Sequence, residues 1–183
     1  MRRALTQRRR AAPAHPQPGF TLFELIVVIC LVSVLAGILL KRLHTYQEAA
    51  QKAAMQQTAA AIKSALQMRV AAYMINGRDR EIESLRDENP VDWLQEKPQN
   101  YAGQFFADGY ARVKPGSWYF DQSKHELIYV PDLDAHFKRG PDGRKWIRYR
   151  TRIEYEESRE TDGTVRRTLS AANFAPVQPY VWF

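Results

Sequence analysis

The stretch Phe20-Thr21-Leu22-Phe23-Glu24-Leu25-Ile26-Val27-Val28-Ile29-Cys30-Leu31-Val32-Ser33-Val34-Leu35-Ala36-Gly37-Ile38-Leu39-Leu40 contains one charged residue, Glu24. At a rise of ~1.5 Å per residue it is long enough to cross a hydrocarbon layer of about 30 Å as a helix. Lys41 and Arg42 mark its exit. From there to Asn76 the chain has no proline or glycine and turns amphipathic. Met55, Ala59, Ile62, Leu66, Val70 and Tyr73 recur at intervals of three or four and define one apolar face. Gln47, Glu48, Gln51, Lys52, Lys63 and Gln67 are assigned to the solvated remainder. The spacing predicts one helix over 20–76, roughly 85 Å long at ~1.5 Å per residue, capped by Asn76-Gly77. A domain of this size cannot bury such a helix along its whole length.

Outward from this helix the composition changes in both directions. Residues 1–19 hold Arg2, Arg3, Arg8, Arg9 and Arg10, no acid, and Pro13, Pro16 and Pro18, so they read as a basic leader without a fold of its own. The net charge of +7 resides mostly there: removing these five arginines from 27 basic residues leaves 22 against 20 acids. What remains is too nearly balanced to make a phosphate-binding surface by charge alone. The basic side of a span faces the cytoplasm, which orients the remainder outward. The one cysteine, Cys30, lies inside the apolar run, so it forms no internal disulfide and reads as a small apolar side chain.

Residues 77–183 carry all four tryptophans and seven of the ten prolines. Residues 78–116 read as a charged, loop-rich connection, with Asn89-Pro90 opening a short helical turn through Trp93 and Leu94. Ser117–Asp121 and Glu126–Val130 read as a hairpin closed by residues 122–125. In Lys145–Glu156, Ile147, Tyr149, Thr151, Ile153 and Tyr155 alternate with Arg148, Arg150, Arg152, Glu154 and Glu156, the pattern of a strand covered on one face. Asp162-Gly163 turns the chain into Val165–Ala171, and Tyr180–Phe183 is a candidate last strand. The expected class is α+β, an antiparallel sheet over the amphipathic half of the helix.

The segment Gly19-Phe20-Thr21-Leu22-Phe23-Glu24 departs from a secretory signal. Its small residue stands before the apolar stretch, on the cytoplasmic border, not after it. This resembles the processing and assembly segment of type IV pilins and type II secretion pseudopilins, over about residues 18–40. The resemblance implies a pilin-like fold, cleavage between Gly19 and Phe20 by a prepilin peptidase, and N-methylation of Phe20. It further implies that Glu24, the fifth residue after the cut, guides assembly. The division that follows is a removed leader 1–19, a transmembrane half 20–40, an amphipathic half 41–76 and an outer globular part 77–183. The chain would wait in a bacterial inner membrane, N-terminus in the cytoplasm and globular part in the periplasm, before entering a pilus or pseudopilus. Its implied partners are the peptidase, other pilins or pseudopilins, the inner-membrane assembly platform and the membrane, with no nucleic acid and no enzymatic activity. Ser33 and Lys41 stand where many members carry the glycine and proline between which the helix can loosen in a filament, and the missing C-terminal cysteine pair, common in major pilins, points to a minor subunit or pseudopilin.

The chemistry of that segment is consistent in its own terms. A carboxylate within the apolar layer costs about 2.5–3.5 kcal/mol on insertion scales. An amine freed at Phe20 would lie one helical turn from Glu24, and in a filament a neighbour's amine would offset the cost. Thr21-Leu22-Phe23-Glu24 also fits a capping box, in which Glu24 serves the helix end alone. Two other whole-chain readings stay open: a single-pass anchor for a periplasmic enzyme or sensor, and an adhesive or DNA-binding tip subunit.

Elsewhere the signals are weaker. Asp132, Asp134 and Asp142, with Gly140 and Gly143, form an oxygen-rich loop that either binds calcium or simply turns; no other cofactor is expected. His15, His44, His125 and His136 lack metal-ligand spacing and read as surface or leader residues. Arg148, Arg150 and Arg152 read as a solvent-facing stripe balanced by Glu154 and Glu156, with DNA binding as the sharper alternative. Trp118, Phe120, Tyr129 and Trp146 read as core, and Ser117 has no base to activate it.

Overall fold

In the computed structural model, which describes residues 19–106, 109–159 and 165–183, Thr21 starts a helix α1 that spans Leu22–Ile75. The leader, apart from Gly19, and the Asp162-Gly163 turn lie outside the described residues. The helix ends as its sequence dictates. Gly77 takes φ +66°, the Gly77 N–H donates to the Met74 carbonyl at 3.2 Å and the Arg78 N–H to the Tyr73 carbonyl at 2.8 Å. This pair of bonds satisfies carbonyls that the last turn leaves open.

The chain divides into two compact units, Met1–Arg42 and Leu43–Phe183. In the first, the described large apolar residues from Phe20 to Leu40 are all exposed. α1 is the one described helix long and apolar enough to cross a membrane.

The second unit is α+β. Its five-stranded sheet runs in the order β1 (Tyr101–Phe105), β2 (Ser117–Asp121), β3 (Glu126–Val130), β4 (Ile147–Arg159), β5 (Val165–Pro176). The pairs β2–β3, β3–β4 and β4–β5 are antiparallel. The β2–β3 hairpin has its expected bounds. Its turn is built by Asp121, whose Oδ1 accepts from the Ser123 and Lys124 N–H groups, and by His125 at φ +50°. β4 and β5 run longer than their side-chain patterns indicated, because each supplies the other's ladder from Tyr149↔Pro176 to Arg159↔Val165.

Two expectations are corrected. Residues 78–116 are not all connection: Tyr101–Phe105 pairs in parallel with β2, so the sheet is mixed. Tyr180–Phe183 forms no strand, only a bridge between Trp182 and Phe137.

The amphipathic face of α1 buries Met55, Ile62, Ala65, Leu66 and Val70 against Trp118, Phe120, Leu127, Tyr129, Ile147, Tyr149, Ile153 and Phe174. The opposite face of β2 and β3 is also covered: Tyr119, Ile128 and Val130 pack with Val113 and Trp146. Burial on both faces explains why these two strands read as continuous apolar runs. All four aromatics assigned to the core, Trp118, Phe120, Tyr129 and Trp146, are buried.

Candidate functional site

Gly19 and Phe20 precede α1 in irregular backbone, and both are exposed. A Cβ on Gly19 would meet nothing within 4 Å. Packing therefore gives no reason for glycine at this position. Thr21 is the cap: its carbonyl accepts from the Leu25 N–H at 3.1 Å and its Oγ1 from the Glu24 N–H at 3.2 Å. The capping box is thus half made. No described residue pairs with the Glu24 carboxylate, so the acid is not consumed by the helix end. Nine residues further on, Ser33 Oγ donates to the Ile29 carbonyl at 2.7 Å, which satisfies that hydroxyl within an apolar segment. Gly37 has an open flank, and a Cβ there would also meet nothing within 4 Å.

Two of the three acids of the oxygen-rich loop, Asp134 and Asp142, are engaged within the fold. Asp134 pairs with Lys145 at 2.8 Å. Asp142 accepts from the Arg144 N–H at 3.2 Å and from the Trp146 indole N–H at 2.7 Å. Among the described residues no cluster of three or more His, Cys, Asp or Glu side chains is placed to hold a metal ion.

The arginine stripe divides. Glu126, 1% exposed, accepts from Arg150 Nη2 at 2.8 Å, and Arg148 Nη1 lies 3.6 Å from its other oxygen. The balancing acid for these two is thus Glu126, from the neighbouring strand, and not Glu154 or Glu156. Arg152 has no partner among the described residues.

One polar residue that the sequence reading assigned to solvent, Glu48, is buried, whereas its partner His136 is exposed, as read. Glu48, 2% exposed, accepts through Oε1 from the His136 N–H at 2.8 Å and the Trp182 indole N–H at 3.0 Å, and its Oε2 lies 2.7 Å from His136 Nδ1. His136 stacks on Phe183 at 4.8 Å between ring centres, and Lys52 donates to the Trp182 carbonyl. Burial alone would raise the Glu48 pKa; the bonds from His136 and Trp182 outweigh it and hold the carboxyl below its ordinary value of 4.5. The signal was present in the spacing. Glu48 stands seven residues before Met55 and fourteen before Ile62, on the buried face of the helix.

Comparison with family models, curated proteins and solved structures gave no match.

Proposed function

We propose that the chain is the precursor of a minor pilin or pseudopilin, cut after Gly19, methylated at Phe20 and assembled through its apolar helix into a type IV pilus or type II secretion pseudopilus. One observation carries the reading. A glycine whose added Cβ would meet nothing within 4 Å precedes a membrane-length helix, five residues before an acid whose carboxylate has no partner among the described residues. Before cleavage Glu24 faces lipid with no counter-charge. Afterwards the Phe20 amine of a neighbouring copy or sister subunit pairs with it, so trimming and polymerisation are chemically linked.

The apolar sleeve supports the same reading. Side chains such as Leu22, Phe23, Leu31, Val34 and Leu39, each more than half exposed, need lipid or other helices around them. The open flank of Gly37 admits close approach of another helix. The globular part then lies in the periplasm and acts through recognition.

The test is Glu24→Gln. Glutamine still serves a helix N-terminus but carries no charge. In cells expressing the assembly platform and peptidase, the variant is cleaved normally and its recovery in sheared filaments falls at least about tenfold, as expected for loss of a desolvated ion pair. Normal incorporation would assign Glu24 to capping and reject the assembly role.

A further inference from the structure

Beyond its apolar stretch, α1 leaves one further face uncovered. Two clefts of about 540 and 370 Å³ run beside it and share Ala54 and Thr58, so they form one groove. On the helix side Gln51, Ala54, Thr58, Ala61, Ala65 and Met68 line it. They follow one another at intervals of three and four, the repeat of a seam that faces another helix. From Gln51 to Met68 the seam is roughly 25 Å long at ~1.5 Å per residue. The opposite wall carries Trp93, Leu94 and Pro98 in one cleft and Leu133 in the other. The alanines leave room for a second helix to approach closely, and Met68 is 67% exposed.

The polar side chains of the seam are already satisfied. Thr58 Oγ1 donates to the Ala54 carbonyl at 3.1 Å. The Gln51 amide donates to the Tyr129 hydroxyl at 2.9 Å and accepts from the Leu133 N–H at 2.9 Å. No lysine or arginine lines either cleft; the charged residues are Asp132 in one and Glu96 in the other, both exposed. Neither acid has a hydrogen-bond or ion-pair partner among the described residues. The cations next to the groove in sequence are engaged: Lys97 pairs with Asp92 at 2.7 Å, and Arg69 lies 3.9 Å from Glu88. An apolar seam of helical period and two uncommitted acids therefore occupy the same groove.

We infer that this groove docks a cationic amphipathic helix of a partner protein. The small and apolar side chains of that helix mesh with the α1 seam, and its lysines or arginines meet Asp132 and Glu96. The backbone of α1 is bonded within itself and offers no ladder, so a helix fits here and an extended strand does not. The inference concerns the unit Leu43–Phe183 and requires neither cleavage at Gly19 nor filament entry, so it stands or fails independently of the pilin reading.

The experiment titrates the full chain, held in phosphatidylcholine nanodiscs, into a fluorescein-labelled helical peptide of about 18 residues. The peptide carries leucine and alanine along one face at heptad spacing and lysine toward both ends. Fluorescence anisotropy is expected to show saturable binding above that of empty nanodiscs. Affinity falls at least about tenfold for Ala61→Trp, which fills the seam, and for the double variant Glu96→Lys, Asp132→Lys. All three positions are exposed, so the urea midpoint stays unchanged. A central proline in the peptide, which breaks its helix, lowers affinity by a similar factor. Binding no greater than that of empty nanodiscs, binding that survives the double variant, or binding indifferent to the proline would overturn the proposal. So would concentration-dependent self-association abolished by Ala61→Trp, which would assign the groove to a second copy.

Discussion

At the scale of the residue, two glutamates on one helix illustrate opposite solutions to the same problem. Glu24 sits in an apolar segment with no partner among the described residues, whereas Glu48 is buried and satisfied by His136 and Trp182. Removing Glu48 orphans an indole N–H and a backbone N–H, each worth about 1–3 kcal/mol when buried and unpaired. Glu48→Ala is therefore expected to lower the stability of the globular unit by about 2–4 kcal/mol in urea titrations followed by tryptophan fluorescence. The pH dependence has a definite sign. Because the folded-state pKa lies below 4.5, the contribution of Glu48 is complete above that value and disappears as pH falls through the lower, folded-state value. Wild type should lose stability over that acid range, and Glu48→Gln should lose distinctly less. An unchanged slope in the glutamine variant would show that other carboxylates govern acid unfolding.

At the scale of the element, legibility followed local periodicity. The apolar face of α1, the β2–β3 hairpin and the alternation in β4 were readable because each repeats at the period of its own backbone. β1 was missed for the converse reason. It is five residues long, is interrupted by Gly103 at φ +104°, shifts register between Tyr101 and Gln104, and pairs in parallel with a strand 12 residues further on. Nothing local marks it. β5 was cut short at Ala171 because Ala172 and Asn173 carry little strand preference, and β4 imposes the conformation on them. The helix terminus makes a testable case. Gly77→Ala places a Cβ on a residue at φ +66° and should cost about 1 kcal/mol without altering the core, read as a lower urea midpoint at unchanged slope. Ile62→Ala, in the centre of the buried face, should cost about 2–5 kcal/mol in the same measurement. Equal effects of the two would contradict the packing described for α1.

At the scale of the whole molecule, the candidate site was legible to different degrees. Gly19, Phe20 and Glu24 are proposed from their order at the start of the apolar helix, a one-dimensional pattern. The partners of Glu48 were not legible, because His136 and Trp182 come from distant stretches of the chain and only folding brings them to it. Nor was Glu126 visible as the acid that holds Arg148 and Arg150, since their partnership depends on strand pairing. The account as a whole rests on a positive charge that the precursor lacks and the mature chain possesses. Intact mass and N-terminal sequence of the protein, purified from cells with and without the prepilin peptidase, test this most directly. The account predicts a chain beginning at N-methylated Phe20 when the peptidase is present and one retaining residues 1–19 when it is absent. A chain that keeps its leader in both cells yet is fully functional would contradict it.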